Sequence, residues 1–395
     1  MIFEYIDGDN SRKVIDLSLT KEPTETFQII EFSSKLEFIQ QFIPAYNASQ
    51  KLVLFDKNHK QLLKFHQEHD IESLANIDSL NADTQLLFFT SGSSGFPVGA
   101  FKTRENLESE GEVLKALAQR KKIKKVVVTV PFVHIYGILA GILLPLSLGD
   151  VTLVVKEDFL PYELLEEAKD GETLIITTPV FIKALGKLNE SNDLSSCTFV
   201  SSTGPLHSDD ASLLETKYQT TLLQLFGSTE TGGIAYKFGD SSKWIPLDRA
   251  EVRTSEDKLS VSSPFISKHL LDGEIKELKQ PFVTEDIIKL DEEGFTLLGR
   301  SNKIIKIAGK RISATQIESI LESFTEVNVA IVELVYKKEL LRSEQILITL
   351  ESSRELSKKE IKEKISEYYG VLTIPFKVNY VEIINYSAMG KKVLF

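Results

Sequence analysis

One cysteine in 395 residues, Cys197, has no partner for an internal disulfide, and no Cys/His cluster has the spacing of a zinc site. Cys197 adjoins an apolar strand-like run with no histidine nearby in sequence, so it reads as a buried hydrophobe rather than a nucleophile. Positive charge is also in deficit: 46 Lys and Arg stand against 57 Asp and Glu, a formal net charge of −11. The whole chain therefore does not attract nucleic acid or an anionic membrane, and any polyanion it holds must be gripped locally. No uninterrupted apolar run approaches bilayer length, and the start, MIFEYIDGDNSRKVIDLS, lacks the basic-then-apolar order of a signal peptide. The expectation is a cytoplasmic protein with neither a membrane span nor a nucleic acid partner.

What is present is a globular composition, 42% hydrophobic, in a chain long enough for two domains. Short β-branched runs recur, QLLFFT, KVVVTV, VTLVV, TLIITT and CTFVSS, separated mostly by helix-like segments such as RENLESEGEVLKALAQR and LPYELLEEAK. That alternation predicts an α/β fold with parallel strands, and ligand loops then follow strand C-termini, where Thr90, Pro131 and Thr178 fall. Residues 250 to 300 alternate differently and predict a small antiparallel element. Beyond them, SATQIESILESF opens with a capping box, Ser313 and Gln316, and places Ile317, Ile320, Leu321 and Phe324 on one helical face. Three strand-like runs and the amphipathic KKEIKEKISEYY complete a compact α+β unit. The predicted domains are 1 to 300 and 301 to 395, with the boundary near Arg300 to Lys303.

The stretch TSGSSGFPVGAFK, Thr90 to Lys102, sets three glycines among small hydroxyls. Backbone N–H groups wrap a phosphate closely only where side chains are small, although a flexible turn has the same composition. A Walker A loop is excluded, because no glycine here stands five residues before a Gly-Lys pair. A dinucleotide fingerprint is excluded because Gly92 is followed by Ser-Ser-Gly.

The remaining type is the phosphate loop [ST]-S-G-[ST]-[ST]-G-x-P-K-G, and Thr90 to Gly99 matches it at every position except Val98, which replaces the lysine. Further segments follow in order: PFVHIYG from Pro131, TPVFIKAL from Thr178, SSTGPL from Ser201, LFGSTETGG from Leu225, TED from Thr284, GRSNKIIKIAGKRIS from Gly299 and AMGKK from Ala388. Together they resemble the adenylate-forming superfamily of acyl-CoA synthetases, carrier-protein adenylation domains and luciferases. Only 89 residues precede the loop, too few for the usual first subdomain. The short form resembles compact ligases found among bacterial fatty-acid and aryl-polyene genes.

The resemblance implies a large N-terminal adenylate-forming domain, a small mobile C-terminal lid with its hinge near Asn302, and ATP, Mg²⁺ and a thiol, from coenzyme A or a phosphopantetheinyl acyl carrier protein. It assigns nucleotide contacts to Thr90, Ser91, Gly92, Ser93, Ser94 and Gly95, to Thr203, Gly204 and Pro205, and to Phe226, Gly227 and Ser228. Asp286 is assigned the ribose hydroxyls, and Arg300 the ribose or phosphate side and the start of the hinge. Thr229 and Glu230 are assigned to the α-phosphate and to Mg²⁺, and Lys391 to the charge that builds up during adenylation, with Lys392 the alternative. His134 orients the acid, lines its pocket or is a satisfied core histidine; Tyr136 is pocket wall or packing. Lys102 is a candidate to compensate for Val98, Gly232 and Gly233 to leave room for the acid, and Gly309 to line the thiol tunnel. Two other functions stay open, a catalytically reduced AMP-binding regulator and a luciferase-like oxygenase.

Overall fold

The computed structural model describes residues 1–18, 21–58, 64–65, 67–68, 83–90, 98–301, 304–307, 310–336, 344–369, 376–386 and 392–393. Packing divides the chain into two compact units. One comprises Met1–Ser241, Ile245–Val252 and Val261–Phe282; the other comprises Ser242–Trp244, Arg253–Ser260 and Val283–Phe395.

In the first unit the expected parallel strands line up as Thr221–Ser228, Thr198–Ser201, Thr173–Thr177, Lys125–Val128 and Thr152–Lys156. Their side chains alternate between two cores, as a pleated strand buried on both faces requires. Val126, Val128, Leu153, Val155, Leu174, Ile176 and Val200 enter one core, which also holds Phe38, Phe42 and Phe132. Val127, Val154, Ile175 and Phe199 enter the other, with Cys197 fully buried among them. A second sheet of the same unit runs Glu274–Glu277, His269–Asp272, Val98–Thr103, Thr84–Thr90, Lys51–Asp56 and Phe27–Phe32.

The short N-terminal segment is shared between these sheets. Ile2–Ile6 pairs parallel with Thr152–Lys156, while Phe27–Phe32 and Lys51–Asp56 build the second sheet outward from Thr84–Thr90. The helix Lys35–Asn47, capped by Ser34, buries Phe38, Ile39, Phe42 and Ile43 between them. These N-terminal residues thus complete the core of the first unit.

The second unit contains the predicted α+β arrangement. Ser313 caps the helix Ala314–Glu322, whose Ile317, Ile320 and Leu321 pack against strands Val327–Tyr336 and Glu344–Ser352. The helix Lys358–Tyr369 follows, then Phe376–Val381, parallel to Glu344–Ser352. The antiparallel strands Phe282–Leu290 and Phe295–Arg300 pack here too, since helix Ala314–Glu322 lies on the second of them. The structural division thus falls near Val283, whereas the sequence places it near Arg300. Among the described residues no helix is long and apolar enough to cross a membrane.

Candidate active site

Four of the motif segments emerge at the carboxyl ends of neighbouring parallel strands, the place where α/β sheets bind ligands. They are stitched together by hydrogen bonds. Thr129 Oγ1 donates to Ile176 O at 3.2 Å and lies 3.0 Å from Thr177 Oγ1. Ser202 Oγ donates to Leu225 O at 3.0 Å. The Tyr136 hydroxyl donates to Thr177 O at 3.1 Å and Val200 O at 2.8 Å. Tyr136 is therefore a buried tie between strand ends, and burial pushes its phenol far above the usual range. His134 is half-buried at the start of the turn Ile135–Ile138. Gly137 closes that segment because a Cβ there would lie 2.1 Å from Pro131 O.

The Ser201–Leu206 segment combines strain with unmet polar capacity. Thr203 has φ 78°, a left-handed conformation that a β-branched side chain rarely adopts. Ser201 Oγ and Thr203 Oγ1 are buried and have no hydrogen-bond partner among the described residues. Gly204 and Pro205 are exposed beside them. Buried orphan hydroxyls next to an exposed turn are suited to a polar ligand, and strained residues cluster at such sites.

Phe226 to Gly233 makes a tight return between strands Thr221–Ser228 and Gly232–Phe238. The pairing slips at Phe226/Gly227, and Gly227 is required because a Cβ would meet Gly232 O at 2.2 Å. Phe226 is half-buried and Ser228 exposed. The fully buried Thr231 receives Ser228 N–H at 3.1 Å and donates to Gly232 O at 2.9 Å. Between these fixed points Thr229 and Glu230 stand half-buried. A hard carboxylate beside a hydroxyl fits Mg²⁺, which takes one or two protein oxygens and completes its shell with water and substrate phosphates. Among the described residues no group of three or more His, Cys, Asp or Glu converges into a metal cage.

Two expectations from sequence are corrected around this return. Lys102 does not offer its ammonium to phosphate: it is wholly buried, and Nζ donates to Phe265 O at 2.7 Å and Glu230 O at 3.2 Å. Gly232 and Gly233 do not leave room for an acid, because the Glu110 carboxylate fills it. A Cβ on Gly232 would meet Glu110 Oε2 at 2.5 Å, and Gly233 N–H donates to Glu110 Oε1 at 2.8 Å. Burial pushes the Lys102 ammonium down and the Glu110 carboxyl up, while their mutual attraction favours both charges. Nothing in the sequence sets Glu110 apart from the other acidic residues of the helix Arg104–Ala118.

The phosphate-loop residues Ser91, Gly92, Ser93, Ser94 and Gly95 lie outside the described residues, as do Asn302, Gly309 and Lys391. Their flanks are defined: Thr90 ends one strand, Val98 begins the next, and the two are antiparallel neighbours. In the second unit Asp286 and Arg300 are cross-strand partners, with Arg300 Nε 3.6 Å from Asp286 Oδ1. Burial raises the Asp286 carboxyl pKa and the guanidinium opposes this. Lys392 Nζ is held by Glu322 at 2.6 Å, Ala330 O at 2.8 Å and Glu318 at 3.3 Å. A polar cleft of about 570 Å³ opens elsewhere on the first unit, between Ser49, Gln85, Arg104 and Arg249; no residue assigned to the site lines it.

Residues 29–272 match the family described as AMP-binding enzyme. A probable 4-coumarate–CoA ligase of Dictyostelium discoideum is 23% identical over 334 residues, 75% of this chain and 61% of that protein. The chain thus spans less than two thirds of that relative's length. A putative long chain fatty acid-CoA ligase of Staphylococcus aureus is 24% identical over 367 residues, 84% of this chain and 78% of the relative. O-succinylbenzoate coenzyme A synthetase of Bacillus subtilis, solved with ATP and magnesium ion, shares the fold with a TM-score of 0.78 at 18% identity, covering 99% of this chain and 95% of that one. ATP-bound MatB of Rhodopseudomonas palustris gives 0.78 at 15% identity, covering 98% and 93%.

Proposed function

This chain belongs to the AMP-binding enzyme family, and from that premise we propose that it activates a carboxylic acid with ATP and Mg²⁺. The acyl group then passes from the acyl-adenylate to a thiol, that of coenzyme A or of a phosphopantetheinyl carrier protein. The observation that carries this reading is the return Phe226–Gly233. It holds a hydroxyl and a carboxylate, Thr229 and Glu230, at the carboxyl end of a parallel strand on a main chain fixed from both sides. Relatives named as CoA ligases and a shared fold with an enzyme solved with ATP and magnesium ion support it.

In the first half-reaction a carboxylate oxygen of the acid forms a bond to the α-phosphorus as the bond from that phosphorus to its bridging oxygen breaks. Pyrophosphate leaves with the electron pair. Thr229 holds the α-phosphate, Glu230 the Mg²⁺, and the amides and hydroxyls from Thr90 to Gly95 the remaining phosphates. Mg²⁺, when bound, offsets the phosphate charge. Phe226 stacks on adenine beside Thr203, Gly204 and Pro205, with Gly227 and Ser228 completing that side. Asp286 accepts from the ribose hydroxyls, with Arg300 alongside. A carboxylate at neutral pH has no proton to lose, so His134 orients or lines rather than serving as a base. In the second half-reaction sulfur bonds to the acyl carbon, AMP departs with the C–O electron pair, and the thiol proton passes to solvent.

Because Lys392 is committed to Glu318 and Glu322, we assign charge stabilisation during adenylation to Lys391. The small domain then turns about Asn302 to admit the thiol. Lys391→Ala is expected to lose pyrophosphate release by about a hundredfold or more while still forming thioester from supplied acyl-adenylate. Retained adenylation in that variant, with loss in Lys392→Met instead, would move the role by one residue. One observation favours a second reading, a nucleotide-binding regulator: with Lys102 buried, that lysine does not replace the one missing at Val98. A folded wild type that binds ATP and releases no pyrophosphate with any acid or thiol would select it.

A further inference from the structure

Two ionisable side chains beside the return are buried, Lys102 at 0% exposed and Glu110 at 5%, and nothing in the proposed chemistry uses them. Burying charge is costly, and apolar residues of similar volume generally serve a fold as well or better. Lys102 is not needed merely to satisfy Glu230 O, because that carbonyl also accepts Ser267 N–H at 2.9 Å. What Lys102 adds is a link between Glu230 O and Phe265 O. Glu110 holds the chain just after Glu230: it accepts Gly233 N–H and sits where a Cβ on Gly232 would be. Gly232 itself has φ 68°, so the return has no freedom to take a bulkier residue there.

Both clamps come from the chain that follows the phosphate loop. Lys102 belongs to the strand Val98–Thr103 and Glu110 to the next helix, Arg104–Ala118. Asn106, between them, donates to Pro264 O at 2.6 Å and Ile266 O at 3.3 Å, gripping the segment whose Phe265 O receives Lys102. One continuous piece of chain, residues 98 to 110, therefore begins at the phosphate loop and ends on the backbone that carries Thr229 and Glu230.

We propose that Lys102 and Glu110 are positioning residues for adenylation, fixing the main chain of residues 229–233 so that Glu230 meets nucleotide-bound Mg²⁺ in one geometry. Neither touches substrate. The inference rests on the assignment of Glu230 to the metal, and it accounts for a buried pair that packing alone does not require. A positioning defect of this kind appears in the Mg²⁺-dependent part of nucleotide binding and in turnover at saturating substrate, not in acid affinity.

The test uses the full-length protein and the variants Lys102→Met, Lys102→Gln, Glu110→Ala and Glu110→Gln. Each is checked for a cooperative thermal transition, titrated with ATP in Mg²⁺ and in EDTA by calorimetry, and assayed for acid-dependent pyrophosphate release. Lys102→Met and Glu110→Ala are expected to weaken ATP binding in Mg²⁺ by about tenfold or more, with little change in EDTA, and to lower kcat more than they raise KM for the acid. Glu110→Gln, which keeps an acceptor for Gly233 N–H, is expected to restore most of the loss seen in Glu110→Ala. If Lys102→Met does not fold, Lys102→Gln and the Glu110 pair decide. Folded variants with wild-type Mg²⁺-dependent binding and kcat, or equal losses in Glu110→Gln and Glu110→Ala, would overturn the proposal. A wild type that releases no pyrophosphate refutes the adenylation reading instead, and the calorimetric arm still decides the positioning claim.

Discussion

Lys35 carries an ammonium into the first unit, where Nζ donates to Lys156 O at 3.1 Å and Thr129 O at 3.3 Å. Burial lowers its pKa to about 8, against the pull of Glu157 and Asp158. An unfolded lysine titrates near 10.4, roughly. Between about pH 8 and 10, the unfolded chain therefore holds a proton that the folded chain has released, and stability contributed at this site rises with pH. Below about pH 8 both forms are protonated and the contribution is flat. Chemical denaturation of wild type and Lys35→Met across pH 7 to 10 is expected to show the wild type gaining on the variant by on the order of 2 kcal/mol. A difference independent of pH would mean that Lys35 keeps its proton in the folded protein. At this scale the sequence shows residue types in motif order but not their partners. Glu230 and Thr229 could be assigned from LFGSTETGG, whereas the burial of Lys102, the carboxylate of Glu110 inside the glycine pair and the capture of Lys392 by Glu318 and Glu322 depend on contacts between residues far apart in sequence.

The helix Arg104–Ala118 shows how an element connects these contacts. Thr103 caps it, accepting Asn106 N–H at 3.0 Å, and Asn106 Oδ1 accepts Thr103 N–H at 2.9 Å. Thr103→Ala loses one cap and is expected to cost about 1 kcal/mol. Asn106→Ala also strips donors from Pro264 O and Ile266 O, so its cost should be about 2 to 3 kcal/mol. Urea unfolding midpoints measure both, and equal losses would show that the ties to Pro264 and Ile266 contribute nothing. The helix and the parallel strands were legible because a helix buried on one face repeats every 3.6 residues, while strands buried on both faces appear as short continuous β-branched runs. The strand Val98–Thr103 was not, since VGAFKT carries glycine and a lysine and reads as the tail of a loop; its place is set by pairing with Thr84–Thr90 and His269–Asp272. The division near Val283 was likewise hidden, because the helix that covers strand Phe295–Arg300 comes later in the chain.

For the molecule as a whole, the chain shares the fold of nearly the full length of an enzyme solved with ATP and magnesium ion. Its first strands join both sheets of the first unit. Both half-reactions of the proposed chemistry depend on one event, transfer of AMP to a carboxylate. The measurement that tests this most directly is acid-dependent ATP–pyrophosphate exchange by the purified full-length chain. It would be run over aryl, fatty and amino acids with Mg²⁺, before any thiol is added. Exchange is expected with at least one acid class, abolished by EDTA, and thioester on adding coenzyme A or a loaded carrier protein. ATP binding without exchange for any acid class, in wild-type protein that is folded and saturated with Mg²⁺, would contradict it.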